Sequence, residues 1–153
     1  MSVAEIEILR GILAGIDQIV RLLTNIYTPK LYSDVDFTIP PERVRWTKAR
    51  DVKGPGILKW TIMISNNPDV AFLIEADEER VLDWSIREYY EVLNLNEPND
   101  YGWCAKWDDV NSIYVVITPW NWGFEEKLSV GIWNYSTSDA NIAVYEVEVA
   151  IPR

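Results

Sequence analysis

Residues 57–65, ILKWTIMIS, alternate strictly: Leu58, Trp60, Ile62 and Ile64 share one phase, and Lys59, Thr61, Met63 and Ser65 the other. A period of two puts the two sets on opposite faces of a strand and does not fit a helix, so this stretch commits its part of the chain to β structure. The turn residues NNPD follow at 66–69. VAFLIEA then returns with Val70, Phe72 and Ile74 in phase, which predicts a hairpin. The same texture runs through the chain from Lys30 onward. A turn over Asp77-Glu78-Glu79 leads into a strand in which Leu82, Trp84 and Ile86 alternate, then a short helix over 86–93 and a polar loop over 94–102. WCAKW, NSIYVVIT, KLSVGIWNY and NIAVYEVEVAI read as further strands, the last two joined by STSDA at 136–140, and shorter ones fit 35–39 and 43–46. Eight or nine short antiparallel strands predict a mainly β domain over 30–153, an antiparallel β-sandwich of jelly-roll-like type.

The first 29 residues are of a different kind. VAEIEILRGILAGIDQIVRLLTNIY carries apolar side chains at helical spacing and no proline until Pro29, which predicts a long N-terminal helix. With Ile6, Leu13 and Val20 at heptad position a, Leu9, Ile16 and Leu23 fall at d, and Ile12, Ile19 and Ile26 at g. A seam widened by g suits a bundle of more than two helices, or a helix lying on a sheet. These nine residues are the predicted oligomerisation surface, with packing on the chain's own sheet as the alternative. Gly11, Ala14 and Gly15 lie away from a and d and weaken the isolated helix, so it needs a packing partner. Arg10, Asp17 and Arg21 interrupt any window of about 20 residues, which argues against a membrane span.

Composition narrows the function classes. At 153 residues the chain suits one core-bearing globule without staples. Its net charge of −10 repels phosphate backbones, so nucleic acid is not an expected partner. Histidine is absent, which removes the commonest general base and metal ligand and with them a His-based triad or an HExxH zinc site. Cys104 has no second cysteine to pair with, and no basic and apolar leader precedes the helix, so no classical signal peptide is expected. The scarcity of glutamine, Gln18 alone, and of cysteine suggests a hot habitat, while ten asparagines argue the other way.

The stretch TPWNWGFEE, 118–126, concentrates aromatic rings. Trp120 and Trp122 are two apart and share a face if extended, with Asn121, Glu125 and Glu126 beside them. The rings read first as packing at the end of the sandwich, then as a partner contact, then as a sugar platform. Cys104, between Trp103 and Trp107, reads as a small buried hydrophobe rather than a nucleophile, since no histidine is available to activate it. Asp100, Asp108, Asp109 and Asn111 offer oxygen ligands to calcium, and paired acids can run glycoside hydrolysis, but neither set has the spacing of a known motif. GPG at 54–56 is a turn, not a phosphate loop. No cofactor or metal is expected.

A helix of the form EIEILRGILAGIDQIVRLL, a β-sandwich, and a closing pair KLSVGIWNYSTSDANIAVYEVEVAI resemble, in layout, virion structural proteins of bacterial and archaeal viruses: capsid decoration, spike or fibre proteins. The resemblance implies a non-enzymatic, trimeric protein that docks on a capsid or tail protein and presents its β-domain outward, in the virion or in the cytoplasm before assembly. It implies no residue-level site. The rival expectation is a carbohydrate-binding module using Trp120 and Trp122.

Overall fold

The computed structural model describes the backbone of residues 2–82 and 84–152, and their side chains except at 17, 18, 20–27, 81, 82 and 152. The order of elements is α1 (Val3–Ile26), β1 (Tyr27–Ile39), β2 (Val44–Trp46), β3 (Val52–Lys53), β4 (Gly56–Ser65), β5 (Val70–Ala76), β6 (Glu79–Leu82), a π-helical turn (Glu88–Val92), β7 (Trp103–Asp108), β8 (Ile113–Phe124), β9 (Lys127–Asn134) and β10 (Ala140–Pro152). The chain is mainly β, as the alternation predicts, with two antiparallel sheets and an N-terminal helix. Sheet A has the order β1-β10-β4-β8-β7, and sheet B the order β2-β9-β5-β6, with β3 pairing β9 as well.

The sheets share one core. Met63, Tyr114, Val116, Tyr145 and Val147 of sheet A meet Phe72, Ile74, Val130 and Ile132 of sheet B, and Phe72 touches Tyr145 edge-on at 5.6 Å between ring centroids.

The predicted hairpins at 57–76 and 127–151 do not form. β4 and β5 lie in different sheets, as do β9 and β10, so NNPD and STSDA are arches between sheets. Alternation guarantees each strand a buried face but says nothing about its neighbours. β4 pairs instead with β10 and β8, whose residues lie about 50–90 positions away. Polar side chains hold the arches: the Ser65 hydroxyl donates to the Asn67 carbonyl (2.9 Å), and the Asn67 Nδ2 to the Ser136 hydroxyl of the other arch (2.7 Å). True hairpins join β5 to β6 and β7 to β8. The first has a two-residue loop, Asp77-Glu78, with both φ positive, at 51° and 68°, as a primed turn requires.

Four further expectations are adjusted. β1 runs from Tyr27 rather than over 35–39 alone, because it pairs with β10 along its length. The strand read through 82–86 ends at Leu82, leaving only a bridge from Ser85 to Ala71. The short helix at 86–93 is a π-helical turn, closed by the Leu93 amide donating to the Glu88 carbonyl (2.8 Å). Within β4 the phase breaks at Lys59, an extra residue relative to β10. Leu58, Thr61, Met63 and Ser65 are buried, whereas Trp60, Ile62 and Ile64 are only partly covered. The more apolar row of this strand faces away from the core.

Candidate assembly surface

The start of α1 is built by a reciprocal cap. The Glu5 amide donates to the Ser2 hydroxyl (3.2 Å), and the Ser2 amide to a Glu5 carboxylate oxygen (3.1 Å). Two of the donors that every helix start leaves free are satisfied in this way. The S-x-x-E spacing of SVAE is the signature of such a cap, which the heptad reading does not use. From there the helix runs 24 residues, about 36 Å at 1.5 Å per residue.

Of the nine stripe residues, Ile6, Leu9, Ile12, Leu13, Ile16 and Ile19 are 38–64% exposed. The side chains of Val20, Leu23 and Ile26 lie outside the described residues. Val3 and Ile8 are exposed as well. The contact α1 makes with β1, the strand that continues from it without a linker, is slight, and a Cβ added at Gly11 or Gly15 would meet nothing within 4 Å. The described part of the stripe thus stands free of the β-domain rather than lying on it. Fully burying such a side chain is worth about 1.5–3 kcal/mol, so covering six half-exposed ones yields about 6 kcal/mol per chain. No helix among the described residues is long and apolar enough to cross a membrane.

Trp120 and Trp122 have unlike settings. Trp120 is partly buried against the core, and its indole N–H donates to the hydroxyl of fully buried Thr61 (3.1 Å), which is itself bonded to the Thr118 hydroxyl. Trp122 is 46% exposed. Between them Asn121 takes φ 47°, and β8 carries one residue more than β4 over this interval. The stretch is therefore bulged, not extended. The glutamates at its end form the crossing from sheet A to sheet B, and Asp77 holds that crossing. Its carboxylate accepts the amides of Glu125 (2.9 Å), Glu126 (2.7 Å) and Lys127 (3.0 Å). These bonds, the one to Glu125 foremost, lower the Asp77 pKa. The corner closes against Gly54, whose amide donates to the Glu126 carbonyl (2.8 Å) and where a Cβ would come within 2.5 Å of the Glu125 carbonyl oxygen.

Of the other candidate groups, Asp108, Asp109, Asn111 and Cys104 are engaged in structure. The Asp108 carboxylate accepts from the amides of Val110 and Asn111 and from the Asn111 side chain, which lowers its pKa. Asp109 accepts from the Trp107 indole (3.0 Å) and the Tyr114 hydroxyl (2.8 Å). Among the described residues no three acidic or thiol groups converge as a metal site. Cys104 is buried and donates to the Lys106 carbonyl (3.2 Å), and burial raises its pKa, away from the reactive thiolate. Trp107 lies between Tyr90, stacked at 4.4 Å, and Tyr114, edge-on at 4.7 Å.

No family model matches the sequence, and no curated protein does. Among solved structures the chain is similar to one in the capsid asymmetric unit of cyanophage Pam1, at 10% identity and TM-score 0.42 over 83% of this chain and 87% of that one. It is also similar to dimeric latent PorU from Porphyromonas gingivalis, at 10% identity and TM-score 0.39, over 83% of this chain and 13% of that one. Likeness this distant leaves the function to be argued from the molecule's own surfaces.

Proposed function

We propose that this chain is a non-enzymatic structural protein that self-assembles through α1 and presents its β-domain on the assembly. The observation that carries this is the free apolar stripe of α1. A helix with Ile6, Leu9, Ile12, Leu13, Ile16 and Ile19 open to water is costly alone, and symmetric self-association at a chain terminus is a direct way to cover it. The g positions widen the seam beyond a two-stranded one, which favours a parallel trimer. The sheet orders support the jelly-roll reading of the head: β1-β10-β4-β8 and β2-β9-β5-β6 are the two halves of a sandwich in which strands pair from the outside inward, with β7 added at one edge. The layout of stalk helix and sandwich is that of virion decoration, spike or fibre proteins, and a capsid or tail protein is the partner we assign. The engagement of Asp77, Asp108, Asp109 and Cys104 in structural bonds supports scaffolding over catalysis.

Sedimentation of the full chain tests the assembly. The parent is expected at three chain masses, and Leu9→Gln/Leu13→Gln at one, with unchanged β-sheet circular dichroism. A parent that sediments as a single chain at high concentration refutes the reading. For the virion assignment, purified virus particles are expected to contain the chain in fixed stoichiometry to the capsid protein, and particles lacking it refute that part.

A further inference from the structure

The outer face of sheet A is a second apolar surface. An antiparallel sheet that covers a core on one side ordinarily turns polar residues to water on the other. Here the register sets Val35, Val144, Ile64 and Val115 in one cross-strand row that ends at Lys106 on β7, the four apolar residues being outside the core and none of them fully covered. The next row holds Ile62, Ile117 and Trp103 beyond Ser33 and Glu146. A third has Leu31, Trp60 and Pro119 around Glu148. Leu31 and Val35, on the edge strand β1, are 55% and 59% exposed. Sheet B differs. Its outward Ala71 and Leu73 are at most 1% exposed, covered by the chain itself where Ser85 bridges to Ala71, and the Trp46 ring sits within 2.9 Å of a Cβ built on neighbouring Gly131. One sheet is finished within the monomer and the other is not.

We propose that the outer face of sheet A is the surface on which the heads of copies joined through α1 pack together about the assembly axis, completing the assembly that α1 begins. The inference rests on the α1 reading for what brings copies together. Sheet A is the sheet that α1 enters: Ile26 ends the helix, Tyr27 starts β1, and no linker lets the head swing away. Copies joined through α1 therefore hold their A sheets near one another. Size points the same way. A stable interface takes roughly 20–30 residues per side. The nine stripe positions fall short alone, and the ten apolar positions of the three rows bring the total to about that range.

The test uses the full chain in three variants: Ile62→Gln/Ile117→Gln, paired across β4 and β8, Val35→Lys on the exposed edge strand, and Leu9→Gln/Leu13→Gln on α1. Sedimentation is run over a range of concentrations, with thermal melts of the dissociated chains as a check on folding. Val35→Lys serves if the paired substitution melts early. Both sheet variants are expected to raise the concentration of half-dissociation about tenfold or more, equivalent to about 1.4 kcal/mol, without lowering the melting temperature of the monomer. Sheet variants within twofold of the parent, with the α1 variant dissociated, overturn the interface and leave the α1 reading standing. Sheet variants that dissociate while the α1 variant stays assembled uphold the interface and sink the α1 reading. A parent that is monomeric throughout sinks both, and so does a monomer whose α1 folds back over Ile62 and Ile117.

Discussion

Asn134 gives the strongest single-residue test of how the two arches are held. It is fully buried at the end of β9. Its Nδ2 donates to the carbonyls of Ile39 (3.0 Å), Pro40 (3.2 Å) and Ser138 (2.8 Å), and its Oδ1 accepts from the Ser136 amide (3.0 Å) and hydroxyl (2.7 Å). One amide thus ties the end of β1 to the arch between β9 and β10. In Asn134→Ala at least the Ile39 and Ser138 carbonyls and the Ser136 amide lose their partners. An unsatisfied buried group costs about 1–3 kcal/mol, and water reaches part of this rim, so the expected loss is about 3–4 kcal/mol. That is a large share of the 5–15 kcal/mol typical of a domain. Urea unfolding followed by tryptophan fluorescence reads it directly. With a slope of about 2 kcal/mol/M, the midpoint drops by about 1.5–2 M and the slope is unchanged. Asn134→Asp sharpens the test, since it keeps the acceptors but turns a carboxylate toward three carbonyl oxygens. That environment raises the folded pKa of the new acid above its unfolded value of about 3.9. Its extra penalty is therefore full at pH 7 and shrinks as pH falls through the folded pKa toward 4. A loss below about 1 kcal/mol for Asn134→Ala, or an Asp variant as stable as the Ala variant at pH 7, would refute the reasoning.

Two further outcomes follow from single groups. Asp77 has a lowered folded pKa, so its contribution is present above its unfolded value and is lost as pH falls through the folded one. Asp77→Asn is expected to be less stable than the parent at pH 7, with the gap closing in titrations taken below about pH 4; a gap independent of pH would mean that the three amide bonds do not depend on charge. The Tyr145 hydroxyl is fully buried without a hydrogen-bond partner among the described residues, so Tyr145→Phe is expected to be neutral or stabilising by up to about 1 kcal/mol in the same urea assay, and a loss of that size would reveal a partner for it.

The helix was legible because its apolar spacing extends over three heptads and no strand produces that period. Most strands were legible for the matching reason, and WCAKW and KLSVGIWN lie within β7 and β9, although an extra residue at Ala105 breaks the alternation of the first. Pairing was not legible. NNPD and STSDA carry turn chemistry that serves an arch as well as a hairpin, and the partners of β4 are residues about 50–90 positions away. Phase failed where bulges intervene. The extra residue at Lys59 separates Leu58, which is in the core, from Trp60, Ile62 and Ile64, which are not, and the left-handed Asn121 breaks the extended run that would have aligned Trp120 with Trp122. Asparagine tolerates that backbone conformation better than most residues, so the bulge had a signal, though not one that separates it from an ordinary loop residue. The Asp77 corner was hidden because its amide donors lie about 50 residues away.

The pairing of β1 with β10 also sets an order of events during synthesis. Ile39 is opposite Ala140 and Tyr27 opposite Pro152, so β1 has no neighbour in its sheet until more than a hundred further residues have been made. At about 5–20 residues per second the wait is about 5–20 s. Throughout it α1 is already complete, capped by Ser2 and Glu5, while the head behind it is unfinished. Under the assembly proposed above, helices of chains emerging on neighbouring ribosomes would have time to find one another before the heads close.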